Sequence, residues 1–196
     1  MEVNFFAPLA LMQKCIPLLR LSPIGARIVN VGSMADTANH AFINSYNASK
    51  AALSAASDTI RGELQLASDQ SFPIYVSLVA PGAFNTDMST SKFAEKFTGG
   101  KSDDLLGGER AREHYGPAFN LFVDSWVKFP KQDSVLPVVS CIEHALVSRK
   151  PRTRYSPGVD AKVFLFLAWL LPRAALESIM YAQIKSGMKK IKNVKA

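Results

Sequence analysis

The residues of this chain best equipped for chemistry are Ser33, Tyr46 and Lys50, which follow one another at intervals of 13 and 4 residues. If the segment after residue 45 is helical, Tyr46 and Lys50 lie one turn apart on the same face. An ammonium group beside a phenol stabilises the phenolate, so the tyrosine is then able to exchange a proton near neutral pH. A serine hydroxyl at a neighbouring strand end would hydrogen-bond a substrate carbonyl or alcohol. The spacing therefore predicts chemistry that interconverts alcohols and ketones.

The segments around these residues predict an α/β fold. Residues 27–33 form a β-rich run that ends at Ser33, and residues 74–80 form a second run that ends at Pro81-Gly82. Between them, an alanine-rich pattern predicts a helix over residues 46–67. A strand, a helix and a strand of these lengths are typical of a right-handed βαβ crossover in a parallel sheet.

Apolar residues at three- and four-residue spacing predict two further helices, over residues 3–21 and 134–149. Pro8 lies in the first helix and has no N–H, so the carbonyl oxygen of Asn4 lacks its usual helical donor. Residues 154–156 predict a last short strand. Residues 84–131 show no regular pattern and would follow a strand end, where a long segment is positioned to cover a ligand crevice.

The net charge of +7 is concentrated at the C-terminus, where the last twelve residues contain five lysines and no acid: Lys185, Lys189, Lys190, Lys192 and Lys195. A frayed, solvated tail and attraction to an anionic membrane surface are the two interpretations. Nucleic-acid binding is not expected, because no aromatic-interleaved basic surface accompanies the tail. A metal site is not expected either, since the three histidines (His40, His114 and His144) have no ligand spacing.

Residues 163–171 form an unbroken apolar run of nine, ended by Pro172-Arg173. Nine residues are too few to cross a hydrocarbon core of roughly 30 Å, so a complete transmembrane helix is not expected. The run is either a helix buried by packing or dimerisation, or an interfacial or re-entrant membrane contact. Trp169 and the basic tail favour the second interpretation.

The chemically equipped residues also match a family pattern. Asn4, Ser33, Tyr46-x3-Lys50 and Pro81-Gly82-x3-Thr86 occur in the order, and on the predicted elements, in which the short-chain dehydrogenase/reductase family carries its Asn-Ser-Tyr-Lys set and Pro-Gly motif. The chain resembles that family, which implies the C-terminal part of a doubly wound Rossmann-type sheet with flanking helices. Residues 1–196 would form one partial domain. It would comprise a catalytic βα core (1–83), a substrate-covering segment (84–131) and an apolar helix with a basic tail (161–196).

The resemblance implies a role for each matched residue. The catalytic residues would be Asn4, Ser33, Tyr46 and Lys50. Tyr46 would act as acid and base, Ser33 would orient the reacting oxygen, and the Asn4 main-chain carbonyl would hold a relay water. Lys50 would favour the phenolate and bind the nicotinamide ribose. The cofactor, NAD or NADP, would be bordered by Tyr46, Lys50, Pro81, Gly82, Phe84 and Thr86.

Within the family, residues 153–162, the apolar run and Leu171-Pro172 resemble the retinol and hydroxysteroid dehydrogenase branch. That branch implies an apolar alcohol or ketone as substrate and attachment to endoplasmic reticulum membranes, with the mitochondrial inner membrane or the cytoplasm as alternatives. Homo-oligomers would form through helices 3–21 and 46–67. Aromatic residues suited to an apolar substrate, or equally to a core, are Phe84, Phe93, Phe97, Phe119, Phe122 and Trp126.

One part of the family pattern does not occur in the 196 residues. The sequence contains neither GxxxGxG nor GxGxxG, the Gly-rich turn that holds the cofactor pyrophosphate. The hypothesis is therefore that the sequence comes from a longer enzyme and binds little cofactor by itself. The alternative is a non-catalytic truncated form that acts as a dimerisation or membrane-surface interaction protein.

Overall fold

A computed structural model describes residues 1–67, 73–87 and 109–195 of the protein. Three parallel strands form one sheet in the order β1 (Ala26–Val31), β2 (Ile74–Val79) and β3 (Arg154–Tyr155). Ala26 lies opposite Ile74 in the register of β1 and β2, and Leu78 lies opposite Arg154 in that of β2 and β3. The α/β fold predicted from the sequence is confirmed, and so are the positions of its three predicted strands.

The three helices predicted over residues 3–21, 46–67 and 134–149 begin and end close to the predicted bounds, with one difference at the start of the chain. Residues Glu2–Phe6 form a π-helical turn that continues directly into the first α-helix, whereas the sequence predicted a regular helix over residues 3–21. A 3₁₀ turn (Met34–Asp36) follows β1. The α-helices are α1 (Ala7–Leu19), α2 (Asn44–Ala67), α3 (Glu109–Lys128), α4 (Leu136–Val147), α5 (Val159–Leu170), α6 (Arg173–Met180) and α7 (Ala182–Lys195).

The sheet is covered on both faces, as expected for buried parallel strands. On one face Ile28 packs with α1 and α2, in a cluster that includes Met12, Leu53 and Ile60. On the other face Val29 packs with α4 and β3, in the cluster Val79, Ala145, Tyr155, Val138, Cys141 and Ile142. Successive residues of β1 therefore pack into different cores, which explains why the strand is apolar on both sides.

Helix α3 corrects a prediction, because the sequence indicated no regular structure over residues 84–131. Phe119, Phe122 and Val123 are buried along this helix at three- and four-residue spacing. Gly116-Pro117 interrupts the pattern in the sequence, but the structure accommodates Pro117 inside the helix. Residues 88–108, including Phe93 and Phe97, lie outside the described residues.

The basic tail is also helical, so the frayed-tail interpretation is wrong for Ala182–Lys195. Helix α7 packs on α3, and a Cβ atom at Gly187 would lie 2.8 Å from Leu121 Cδ1. This close approach explains a glycine in the middle of a helix, where it costs about 1 kcal/mol relative to alanine. None of the helices in the described ranges is both long and apolar enough to cross a membrane.

The chain divides into two compact units. The first comprises Met1–Gly82 and Ser134–Phe166, and the second comprises Ala83–Asp133 and Leu167–Ala196. Asn4, Ser33, Tyr46, Lys50, Pro81 and Gly82 belong to the first unit, which also contains the whole sheet. Phe84 and Thr86 belong to the second unit.

Candidate active site

The carboxyl edge of the sheet brings three connecting segments side by side. After β1, the Gly32 N–H donates to the Val79 carbonyl at 2.7 Å and the Met34 N–H donates to the Pro81 carbonyl at 3.0 Å. After β2, the Gly82 N–H donates to the Pro157 carbonyl at 3.0 Å. The turn that carries Ser33 therefore lies beside Pro81-Gly82. In α/β sheets the crevice at this edge is where ligands bind.

Ser33 is held in one orientation by its own turn. Its backbone is extended, with φ −166°, and its Oγ accepts a hydrogen bond from the Ala35 N–H at 3.2 Å, which caps the 3₁₀ turn. The hydroxyl hydrogen is not used by this contact, because the oxygen acts as acceptor. The geometry thus leaves the half-buried hydroxyl able to donate to a substrate oxygen.

Tyr46 and Lys50 lie one turn apart on α2, and both are half-buried. The Lys50 Nζ is 5.9 Å from the centre of the Tyr46 ring and donates to the Val31 carbonyl at 3.1 Å. This bond places the ammonium at the end of β1 and uses one of its three N–H donors. Burial lowers the pKa of Lys50, and the negative charge of Asp36 opposes that shift.

Asn4 is linked to the turn of α2 that bears Tyr46, although by its side chain. The Asn4 Nδ2 donates to Ser49 Oγ at 3.1 Å, and Ser49 Oγ donates to the Tyr46 carbonyl at 2.8 Å. The role expected for Asn4 uses its main-chain carbonyl, so this contact is additional to that expectation. The main-chain role stays a prediction.

Gly82 lies close to a neighbouring side chain. A Cβ atom there would overlap the carboxylate of Asp160, at the start of α5. Phe84 is buried and pairs with Gln132 in an isolated parallel bridge within the second unit, and Thr86 is exposed. The cofactor contacts predicted for Phe84 and Thr86 stay predictions.

Two residues near the site were missed from the sequence. Arg154 Nη2 donates to Asp36 Oδ1 at 2.8 Å, and Arg154 Nη1 donates to Ser54 Oγ at 3.3 Å. Asp36 ends the 3₁₀ turn that Ser33 caps, and its side chain is only 1% exposed. The two residues are 118 positions apart, so only the pairing of β3 with β2 brings them together. An acid three residues after the candidate serine was the one local indication.

The residues present fit the nicotinamide end of a dinucleotide. Lys50 offers two further N–H donors at the end of β1, where ribose hydroxyls would be bound, and Ser33 and Pro81-Gly82 lie at the same edge. The Gly-rich turn for the pyrophosphate does not occur in the sequence. No group of three or more His, Cys, Asp or Glu side chains within the described ranges is arranged to hold a metal ion.

A parallel sheet with serine, tyrosine and lysine side chains at its carboxyl edge is the arrangement expected of a Rossmann-type dehydrogenase. Comparison with known proteins narrows this class. Residues 1–96 match the family model described as short chain dehydrogenase. This match covers 96 of the 196 residues and confirms the resemblance to the short-chain dehydrogenase/reductase family.

The relatives found among curated proteins are retinol and hydroxysteroid dehydrogenases. Retinol dehydrogenase 5 of Mus musculus is 31% identical over 189 residues, which cover 92% of this chain and 55% of that protein. The 17-beta-hydroxysteroid dehydrogenase type 6 of Mus musculus is 33% identical over 160 residues, which cover 79% of this chain and 47% of that protein. The chain thus spans about half the length of the curated relatives it matches.

Solved structures show the same fold. A short-chain dehydrogenase from Streptomyces avermitilis superposes with a TM-score of 0.58 at 24% identity, covering 95% of this chain and 61% of that one. A short chain dehydrogenase from Burkholderia cenocepacia, solved in complex with NADP, gives a TM-score of 0.57 at 22% identity, covering 93% and 58%. At these identities the likeness supports the Rossmann-type fold.

Proposed function

We propose that this chain carries the proton-transfer centre of an NAD- or NADP-dependent oxidoreductase that interconverts an alcohol and a carbonyl. The observation that carries the proposal is the position of Lys50. Its ammonium lies 5.9 Å from the Tyr46 ring, is fixed at the end of β1 by the Val31 carbonyl, and keeps two donors for a ligand. When bound, the nicotinamide supplies or accepts the hydride.

Each residue of the site then has a defined task. In carbonyl reduction the Tyr46 hydroxyl gives its proton to the substrate oxygen, and in alcohol oxidation it takes that proton back. The Ser33 hydroxyl donates a hydrogen bond to the same oxygen and orients it. The positive charge of Lys50 stabilises the phenolate that forms when the proton leaves Tyr46.

An apolar alcohol or ketone of the retinoid or steroid type is the substrate we propose. The proposal is supported by the names of the relatives, which are retinol and hydroxysteroid dehydrogenases. It is also compatible with a site whose polar groups are few and grouped around one substrate oxygen. Because the chain covers about half of each relative, the assay should use it both as printed and within any longer protein that contains it.

The test is the substitution Tyr46→Phe, assayed with retinol and a 17β-hydroxysteroid and with NAD and NADP. We expect turnover to fall by about 100-fold or more, because the proton donor and acceptor is lost. The matched control is Tyr75→Phe. Tyr75 lies on β2, and the Arg27 guanidinium stacks over its ring at 4.3 Å, so phenylalanine preserves that contact. In a longer protein that turns over substrate, equal activity of the two variants would contradict the proposal.

A second candidate is contact with a membrane surface through residues 163–196, at the endoplasmic reticulum in the first instance. It is favoured by α5, which exposes Val163, Phe166 and Trp169, the last with 80% of its surface accessible. We expect the chain to float with anionic vesicles and Trp169→Ser to float less. Tyr115→Ser, which removes an exposed aromatic ring from α3, is the control. Equal flotation of both variants would count against this candidate.

The proposed homo-oligomer, or pairing with a longer subunit in a non-catalytic role, would use helices α1 and α2. Helix α1 exposes Leu11 and Leu18, which are 64% and 71% accessible. We expect Leu18→Glu to lower the mass measured by light scattering, and an unchanged mass would exclude this face.

A further inference from the structure

We propose that Asp36 and Arg154 are positioning residues for the candidate active site. Together they fix the turn of Ser33 against the helix that carries Tyr46 and Lys50. The inference rests on the proposed function only in taking Ser33, Tyr46 and Lys50 as the reacting residues.

The guanidinium of Arg154 connects three elements. From β3 it donates through Nη2 to Asp36, in the turn capped by Ser33, and through Nη1 to Ser54. Ser54 lies on α2, one turn after Lys50. Because a guanidinium is planar and rigid, two bonds from its two ends fix the distance between their acceptors. Arg154 therefore holds the serine turn and the tyrosine helix in one arrangement.

The burial of Asp36 indicates that its charge has an effect beyond this ion pair. Its side chain is 1% exposed, against 32% for Arg154, and a buried carboxylate is stable only when its charge is compensated. Oδ1 accepts from Arg154 and from Thr37 Oγ1 at 3.0 Å, whereas Oδ2 is buried without a hydrogen-bond partner. Removing one partner of a buried ion pair leaves the other charge uncompensated and ordinarily destabilises the fold.

The negative charge of Asp36 favours the ammonium form of Lys50. Burial lowers the pKa of Lys50 and thereby disfavours its ammonium form, and Asp36 acts in the opposite direction. Of the titratable or charged groups in the described residues, the Tyr46 ring lies 5.9 Å from Lys50 Nζ and the Arg154 guanidinium pairs with Asp36. A protonated Lys50 is the form that can both stabilise a phenolate and donate to ribose hydroxyls.

The first test measures the charge of Lys50 without any turnover. Lysine labelled with ¹³C at Cε is titrated by NMR, and Lys50→Arg identifies the resonance. In Asp36→Asn we expect the Lys50 titration to move to lower pH, because the opposing charge is gone. The control is Asp58→Asn, which removes an exposed acid paired with Arg61 on the same helix. A Lys50 titration equally placed in both variants would overturn the electrostatic part of the proposal.

The second test measures the position of the serine turn. Hydrogen exchange of the Ala35 amide, which is bonded to Ser33 Oγ, reports whether that turn is held. We expect exchange to be about tenfold faster in Arg154→Lys, which keeps the charge but not the fork, and unchanged in Arg61→Gln. If the Arg154 variant does not fold, Ser54→Ala removes one arm of the connection without removing a charge. Unchanged Ala35 exchange in Ser54→Ala or Arg154→Lys would overturn the positioning role.

These two readouts separate the inference from the proposed function. If Tyr46→Phe keeps its activity while Lys50 and Ala35 respond as expected, the proposed chemistry is wrong and the positioning pair stands. If Tyr46→Phe loses activity while neither NMR readout changes, the chemistry stands and Asp36 and Arg154 contribute only stability.

Discussion

The Ser49 hydroxyl makes two hydrogen bonds, one to the backbone of Tyr46 and one to the side chain of Asn4. It donates to the Tyr46 carbonyl at 2.8 Å and accepts from the Asn4 side-chain amide at 3.1 Å, while remaining 1% exposed. The π-helical turn at the chain start is thereby attached to the part of α2 where proton transfer is proposed. The Ser49 side chain is outside the proposed chemistry, but it contacts the backbone of the residue to which we assign the proton transfer.

Replacing Ser49 by alanine tests this connection. We expect Ser49→Ala to lower the free energy of unfolding by about 1 kcal/mol, because the half-buried amide of Asn4 loses its acceptor. Thr59→Ala, at an exposed position of the same helix, should change it by less than about 0.5 kcal/mol. Urea titration followed by circular dichroism measures both. Equal losses would show that the Asn4 contact contributes nothing.

His40 makes stability depend on pH. Burial lowers its pKa below the ordinary 6.5. The unfolded chain therefore binds a proton near pH 6.5 that the folded chain does not, and stability present at pH 7 is lost as the pH falls below that value. We expect His40→Gln to flatten the stability profile between pH 7 and pH 5. His114→Gln, on an exposed side chain, should leave the slope unchanged. An identical slope in both variants would refute a role for His40.

Single residues were predictable where the relevant spacing is local. Ser33, Tyr46 and Lys50 fall within 18 positions, and a strand followed by a helix suffices to place them. Asp36 and Arg154 were not predictable, because their contact depends on the alignment of β3 beside β2 across 118 positions. Spacing in the sequence carries no information about such an alignment.

At the scale of elements, two glycines show opposite constraints. Gly25 joins α1 to β1 with φ +83°, and a Cβ atom there would lie 2.9 Å from the Pro73 carbonyl oxygen. Gly62 lies inside α2, and a Cβ atom there would have nothing within 4 Å. The first glycine is required by the backbone, and the second only weakens a helix.

The two alanine variants should therefore differ in sign. We expect Gly25→Ala to destabilise the protein by about 1 to 2 kcal/mol, because the left-handed conformation and the contact with Pro73 both disfavour a side chain. Gly62→Ala should stabilise it by about 0.5 to 1 kcal/mol. Thermal unfolding of the pair is the measurement, with the wild type as reference. A shift of the same sign in both would contradict these assignments.

Helices and strands whose residues follow a regular hydrophobic periodicity were predicted from the sequence, whereas α3 and the π-helical turn were not. The alanine-rich α2 and the β-branched runs of β1 and β2 satisfy both propensity and periodicity. Helix α3 was missed because residues 84–131 were treated as one irregular segment, although Phe119, Phe122 and Val123 within it are buried at helical spacing. The π-helical turn of Glu2–Phe6 has no signature that helical periodicity would reveal.

At the scale of the whole molecule, cofactor affinity should be low for the chain as printed. The residues proposed to hold the nicotinamide are present, but the Gly-rich turn that holds the pyrophosphate is not in the sequence. We expect calorimetry with NAD(H) and NADP(H) to show no tight, stoichiometric binding. The matched control is a longer protein containing this chain together with a Gly-rich βαβ unit. Tight binding by the 196 residues alone would refute the expectation.

The connection made by Arg154 has a consequence for the order in which the protein is made. Asp36 leaves the ribosome 118 residues before its partner, an interval of roughly 6 to 24 s at 5–20 residues per second. Throughout that interval the nascent chain already contains Ser33, Tyr46 and Lys50, but the carboxylate beside them has no guanidinium to neutralise it. The first half of the chain thus carries the residues proposed to react, and the arrangement around them waits for a residue translated 118 positions later.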